Sequence, residues 1–322
     1  MLDGEFISHM AIGFTWWSAS GGPGKTTNAM QTAAAIGRDG HRVLALDLDP
    51  QRGSLTHYCG YGELTYDDPD NDHVVEPDIM DVFFGSASLE DIIVETEHFD
   101  LVPGHEDMGN FESAVADSPR MAADQFFVVR DAIEDLDTEY DVVIIDTPAS
   151  HTKLVDNALV AAQNIMVPIE LTPKGKASQK ELEDTLDAIE RGFRGMNVDV
   201  KIRGTVPSRV GNAKIFESHR EQMEDEGIPI SPFSIPEHSL LRYTWDERMD
   251  LFNFIESDET RDLRPYEEHV PLAYKVIGRW MVGEYSYDEA IERWDGIKDQ
   301  EMGDATPEKL LDDTEPTTEV NV

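Results

Sequence analysis

Eight residues, Ser20-Gly21-Gly22-Pro23-Gly24-Lys25-Thr26-Thr27, join an apolar run ending at Trp17 to a segment with helical spacing, and that junction limits what the 322-residue chain can become. Glycines allow the backbone to wrap an anion with successive N–H groups pointing inward, and a helix that starts there adds its positive end. In such a loop Lys25 is placed for the β- and γ-phosphates of a nucleotide, and the Thr26 hydroxyl for Mg²⁺. A Gly-Lys-Thr string by itself is also an ordinary glycine turn before a helix; its position between a strand and a helix favours the phosphate loop.

The rest of the pattern fits that junction. Apolar runs at Ile12 to Trp17, Val43 to Asp47, Phe99 to Val102, Asp141 to Asp146, Asn164 to Ile169, Lys201 to Val206 and Ile230 to Ile235 read as strands. Most are apolar on both faces, as a parallel sheet covered by helices on both sides demands. The fold class is therefore α/β: a doubly wound, mostly parallel sheet with helices on both faces. Ala29, Thr32, Ala33 and Ile36 mark a helix from Lys25 to Asp39, with Gly40 placed for a left-handed stop. Trp16 and Trp17 precede the loop, and one of them must face the sheet interior.

Two of these strands end in acids: Leu46-Asp47-Leu48-Asp49-Pro50-Gln51 and Ile145-Asp146-Thr147-Pro148. Carboxylates at the carboxyl ends of parallel strands stand over the crevice where ligands of such sheets bind. Asp-Pro as a plain turn former is the bland alternative for either one alone. With the glycine loop, the three motifs in order resemble the ParA/MinD family of deviant Walker P-loop ATPases. Residues 40–51 look like that family's second strand and first switch, 99–104 like its third strand, and 140–150 like its Walker B and second switch. The stretches 157–162 and 167–169 are also similar, and the likeness spans roughly Ala11 to Gly283.

What the resemblance implies can be written residue by residue. Ser20, Gly21, Gly22, Pro23, Gly24, Lys25, Thr26 and Thr27 would bind ATP, Ile235-Pro236 would close over the base, and Thr26, Asp47 and Asp146 would hold Mg²⁺ directly or through water. Asp49 and Lys25 would be the catalytic pair, Asp49 positioning the attacking water; because the transition state is loose, alignment and charge neutralisation suffice and turnover is slow. The implied activity is partition of a plasmid or chromosome, with a ParB-like centromere-binding partner, an ATP-dependent homodimer and non-specific DNA contact. No helix-turn-helix precedes the loop, which implies the short type of partition ATPase. A MinD-like positioning ATPase and a non-hydrolysing nucleotide-dependent interaction protein are the alternatives.

The chain departs from the family at Ser20, where relatives carry a lysine that reaches across the dimer. A hydroxyl cannot replace that charge, so the sandwich is weaker, or Arg52 or Lys153 substitutes, or the partner supplies it. The cluster Arg203, Arg209, Lys214 and Arg220 is interleaved with Glu217, Glu221 and Glu224 and reads first as a solvated face. The acidic end at Asp312-Asp313-Thr314-Glu315 argues against a membrane helix of the MinD kind. One cysteine, Cys59, excludes an internal disulfide and a paired-cysteine cluster. The ten histidines show no His-x-x-x-His spacing, so a catalytic zinc site has no support.

By organisation, 1–10 reads as an extension or cloning scar, 11–283 as the ATPase domain, 284–302 as a helical extension and 303–322 as an acidic disordered tail. The Asp/Pro/Asn-rich segment from Gly60 to Asp78 reads as a solvated loop. No apolar run approaches the roughly 20 residues of a membrane span, and residues 1–10 lack the features of a secretory signal, so the cytoplasm is expected.

Against 26 basic residues stand 66 acidic ones, a formal net charge of −40. The acids are spread through every helix and loop, a coat that resembles proteins of salt-loving archaea. Self-repulsion of that size is screened within about 3 Å at 1 M salt. The melting temperature is therefore expected to climb as KCl rises toward molar concentration; a melting curve indifferent to salt would remove the halophilic reading.

Overall fold

The computed structural model describes residues 11–18, 22–52, 54–68, 70, 73–118, 125–170, 191, 198–210, 221, 225, 231, 234–236, 239–257, 263 and 267–299. Eight strands form one sheet in the order β3-β4-β2-β5-β1-β6-β7-β8. They are β1 Ile12–Trp16, β2 Val43–Asp47, β3 Val94–Glu95, β4 Asp100–Val102, β5 Val142–Asp146, β6 Asn164–Ile169, β7 Lys201–Val210 and β8 Ile235–Pro236. Among the described residues every pairing is parallel except β3 on β4, where a two-residue strand lies antiparallel at the edge.

Both faces of the central strands are dry, and side-chain alternation shows why the sequence carries no polar beat there. In β2, Val43 and Ala45 enter the cluster that holds Ile36 and Tyr274, while Leu44 and Leu46 enter the one that holds Ile79 and Phe83. Val142 and Ile144 of β5 divide from Val143 and Ile145 in the same way. The first face is covered by α1 Lys25–Arg38, α7 Ser239–Glu247, α8 Leu251–Glu256, α9 His269–Val282 and α10 Tyr287–Asp299. The second is covered by α3 Ile79–Phe84, α4 Phe111–Asp117, α5 Val128–Glu134 and α6 Lys153–Ala162; a short α2, Leu55–Tyr58, follows β2. None of these helices is long and apolar enough to cross a membrane.

Several expectations shift. The strand read as Lys201 to Val206 runs on to Val210, and the one read as Ile230 to Ile235 is, among the described residues, Ile235–Pro236. Pro207 and Ser208 hid the continuation of β7, since a proline usually ends a central strand. β3 was not foreseen; two residues carry no periodicity. The segment from Gly60 to Asp78 is more than a solvated loop, because a 3₁₀ turn at Gly62–Thr65 buries Thr65. Both tryptophans are fully buried, Trp16 against α1 and Trp17 in a separate cluster with Val155 and Leu159. Tyr285, Ala290 and Trp294, from 284–302, belong to the main cluster. Cys59 is half-buried against that same cluster, and 1–10 and 303–322 lie outside the described residues.

Helix α1 ends as its sequence implies: Gly40 has φ 99°, the left-handed conformation that glycine adopts without strain. The guanidinium of Arg279, near the end of α9, donates to both carboxylate oxygens of Asp39 at 2.7 and 3.2 Å, tying the two helix ends together. Before that stop, Gly37 passes so close to the turn between β3 and β4 that a Cβ would stand 1.7 Å from the His98 carbonyl oxygen. Gly37→Ala is expected to cost about 2–3 kcal/mol, the scale of an overpacked core, read as a lower midpoint in urea; an unchanged midpoint would mean that α1 slides freely over that turn.

Candidate phosphate-loop and divalent-cation site

The sheet brings β1, β5 and β2 side by side with their carboxyl ends level: Trp16 is in register with Asp146, and Asp146 with Asp47. The strand order reverses at β1, which lies between β5 and β6, so the crevice of this doubly wound sheet opens at the carboxyl ends of β1, β5 and β2. The loop that leaves β1 crosses that crevice and becomes α1. Gly22 and Gly24 have φ 95° and 96°, and the Gly24 carbonyl accepts the first helical hydrogen bond from Asn28 at 2.9 Å. Left-handed glycines followed by a helix N-terminus make a concave surface lined with N–H groups, a cradle for an oxyanion. Ser20 and Gly21 lie outside the described residues. Pro23 and Lys25 are buried, while Thr26 and Thr27 are half-buried in the first turn.

Charge is concentrated at this point. Burial lowers the Lys25 ammonium from its ordinary value, opposed by Asp146 and then Asp49, so both acids stand within electrostatic reach of the lysine. Asp146 is pushed well above the usual carboxylate range, by burial first and by the neighbouring Asp47 second; the Thr26 hydroxyl lowers it in part. Even so, neither buried Asp146 oxygen closes a hydrogen bond of ordinary geometry among the described residues. Burial also raises Asp49, with the Gln51 amide and then Lys25 pulling it back.

Asp47 is differently served. Its Oδ2 accepts from the Ser54 hydroxyl at 2.5 Å, the Thr56 hydroxyl at 2.6 Å and the Thr56 amide at 2.8 Å, and its Oδ1 accepts from the Asp49 amide at 3.1 Å. Burial still lifts it to about 6 against those four bonds. The same Thr56 oxygen accepts from the Gly104 amide at 2.8 Å, which links the exit of β4 to the end of β2. Gly104 is obligatory here, since a Cβ would meet the Asp47 carboxyl carbon at 2.9 Å. Sequence reading missed Ser54, Thr56 and Gly104. Their signal is indirect: a carboxylate that ends an all-apolar strand must find donors, and Ser-x-Thr follows nine residues or fewer after Asp47.

Three carboxylates around one ammonium leave two negative charges unmatched, and Asp146 presents unpaired oxygens beside a threonine hydroxyl. Hard oxygen donors with a surplus charge of that size fit Mg²⁺. Toward the other side of α1, Asn28 donates to the Ser208 hydroxyl at 3.3 Å and accepts from Tyr274 at 2.9 Å, so the first turn of the helix is fixed to β7 and α9. Pro236 belongs to β8, in register with Val210 two residues beyond Ser208. At the back of the site, the Tyr58 hydroxyl of α2 accepts from Gln31 of α1 at 3.2 Å and bonds Thr244 of α7 at 2.6 Å.

The two cations suggested as stand-ins for the missing loop lysine are engaged locally. Arg52 pairs with Glu106 through two bonds of 2.9 and 3.0 Å and stacks over Tyr66. Lys153 bonds Gln125 and sits 5.8 Å from the Phe126 ring centre. Of the basic cluster, Arg203 donates to Asn164 at 2.7 Å, while Lys214, Arg220 and the side chain of Arg209 lie outside the described residues.

The family model described as AAA domain matches residues 15–202, more than half of the chain. Chromosome partitioning protein ParA of Myxococcus xanthus is 29% identical over 186 residues, 57% of this chain and 60% of that protein. Maintenance of carboxysome distribution protein A of Synechococcus elongatus is 29% identical over 241 residues, 73% of this chain and 89% of that protein. Among solved structures, cobyrinic acid a,c-diamide synthase of Mycobacterium smegmatis with bound ADP and magnesium superposes with TM-score 0.60 at 24% identity, covering 79% of this chain and 98% of that one; this likeness shows the fold.

The folded state raises Asp47 from 3.8 to about 6, and Asp146 also rises. Between the unfolded and folded values the folded protein holds more protons than the unfolded chain, so the site's contribution to stability falls as pH rises through that window. Asp146→Asn is accordingly expected to melt higher than the parent without magnesium, by roughly 2–6 °C if about 1–2 kcal/mol of unpaired burial is relieved. The gap should widen as pH rises above the ordinary carboxylate value of 3.8, and added Mg²⁺ should stabilise the parent alone; a variant that melts lower at every pH would show that Asp146 is satisfied in the parent.

Proposed function

Because the chain belongs to the ParA/MinD family of P-loop ATPases, we propose that it binds ATP with Mg²⁺ at residues 20–27, hydrolyses it slowly, and uses the ATP and ADP states to partition or position a cargo. The observation that carries the reading is the convergence of Lys25, Asp49 and the unpaired Asp146 on one glycine cradle. In this reading the amides around Gly22 and Gly24 cradle the phosphates and Lys25 neutralises the β- and γ-phosphates. The Thr26 hydroxyl and Asp146 hold Mg²⁺, with Asp47 acting through water while it anchors the loop. Bound there, Mg²⁺ supplies charge neutralisation for the transferring phosphoryl group.

Asp49 leaves the end of β2 as a half-buried acid beside Lys25, with one oxygen fixed by the Gln51 amide at 3.0 Å. An acid raised by burial is suited to orient a water and accept part of its proton. The proposal extends to an ATP-dependent homodimer, a ParB-like centromere-binding partner and non-specific contact with DNA; the similar ParA and carboxysome-distribution proteins support a cargo role of this kind. The domain limits 11–283 and 284–302 and the base-closing part of Pro236 belong to the same proposal.

Phosphate release and nucleotide calorimetry at molar KCl test it, with and without DNA. Asp49→Ala is expected to keep ATP affinity within about threefold and to lose about 10²-fold or more in turnover, the scale of a positioned proton acceptor, whereas Lys25→Ala loses binding. Undiminished phosphate release from the Asp49 variant would take that residue out of its role.

A further inference from the structure

His105 follows Gly104 at the exit of β4 and is 2% exposed, although the chain has ten histidines and most polar rings seek the surface. Three carboxylates surround it. Nδ1 is 3.2 Å from Asp78 Oδ2 and 3.8 Å from Asp107 Oδ2, while Nε2 is 3.7 Å from Asp67 Oδ1. Among the described residues Nε2 makes no hydrogen bond, and Nδ1 is on the accepting side of a long contact, 3.4 Å, from the Asp107 amide.

Asp67 Oδ1, which faces Nε2, also accepts from the Val75 amide at 2.8 Å, and Asp78 keeps its second oxygen for the ring. Asp78 spends Oδ1 capping α3, accepting from Met80 at 2.6 Å and Asp81 at 3.2 Å, which turns Oδ2 to the imidazole. Burial raises the Asp78 carboxyl, opposed first by His105. Ligand atoms from Asp78, His105 and Asp107 all lie within 4.8 Å of one another. A direct N–H···O bond would be about 2.9 Å. Ligands arranged tetrahedrally at about 2.1 Å from an ion stand about 3.4 Å apart, and the two Nδ1 distances bracket that value. Lone pairs of one nitrogen and two oxygens aimed at a common point repel unless a cation sits between them.

We propose that Asp78, His105 and Asp107 bind a divalent transition-metal ion of the Zn²⁺ class, with Asp67 accepting the Nε2–H of His105 from behind. One imidazole and two carboxylates suit Zn²⁺, Co²⁺ or Mn²⁺, and a carboxylate behind the ligating ring is the usual second support of such a histidine. The site would tie the segment that carries Asp67 and Asp78 to the β4 exit, one residue from the Gly104 amide that reaches Thr56 and, through it, Asp47. None of its residues belongs to the phosphate cradle, so it stands or falls independently of the ATPase reading.

Full-length protein stripped of trace metal, in molar KCl with excess Mg²⁺, is titrated with Co²⁺ and followed by visible absorption and melting temperature. One strongly absorbing equivalent that raises the melting temperature is expected. His105→Gln should abolish the band, and Asp67→Asn should weaken uptake about 10–100-fold. Asp107 is exposed, so Asp107→Ala tests the site without endangering the fold and should weaken uptake at least about tenfold. The proposal is overturned by the absence of an absorbing equivalent, by one that survives Asp107→Ala and His105→Gln unchanged, or by imidazole NMR in which the His105 resonances only titrate with pH and show no paramagnetic shift.

Discussion

Two carboxylates held at the same level on adjacent strands, in a place water does not reach, set the terms for everything around them. Like charges so placed repel, and burial adds the cost of lost hydration to each. The fold answers in two ways. Asp47 is wrapped by Ser54, Thr56 and the Asp49 amide, which fixes the course of the chain after β2. Asp146 has no hydrogen bond of ordinary geometry among the described residues, although Asp47, Thr26, Asp49 and Lys25 all lie near it. One acid thus serves the architecture while its neighbour goes without hydrogen-bond donors among the described residues, although the two occupy equivalent strand ends.

That asymmetry explains which parts of the site could be read from the sequence. That Lys25, Asp47, Asp49 and Asp146 meet at one end of the sheet was legible, because they stand at a strand-to-helix junction and at the carboxyl ends of parallel strands. Seven of the eight strands were legible because a two-sided core needs unbroken apolar runs. β3 and the extension of β7 past Pro207 were not, the first for its two residues and the second because its pairing with β6 and β8 overrides a proline. Ser54, Thr56 and Gly104 escaped notice since a hydroxyl seven or nine positions away has no periodicity to announce it. His105 and its acids come from three separate segments, a convergence that only folding creates.

The surface follows different physics from this interior. A net charge of −40 is a long-range property, sensitive to salt and spread over exposed side chains, whereas the carboxylates at the strand ends are screened little by bulk ions. Salt that relaxes the outer coat therefore leaves the inner balance of Lys25 against three acids nearly untouched. Two arginines are tied locally: Arg279 is held by Asp39 between two helix ends, and Arg52 is committed to Glu106 and Tyr66.

The phenol of Tyr58 gives the nucleotide end of the molecule a mechanical connection to its far flank. It belongs to the four-residue helix whose threonine grips Asp47, yet its oxygen is shared with Gln31 and Thr244, and its ring lies 4.4 Å from that of Trp245. A rearrangement that carried α2 away from the end of β2 would have to tear that oxygen from two helices or drag α7 along with it. The stiffness of one buried ring thereby makes the short helix after β2 a lever, with its fulcrum in the core and its load on the helices that cover the same face of the sheet.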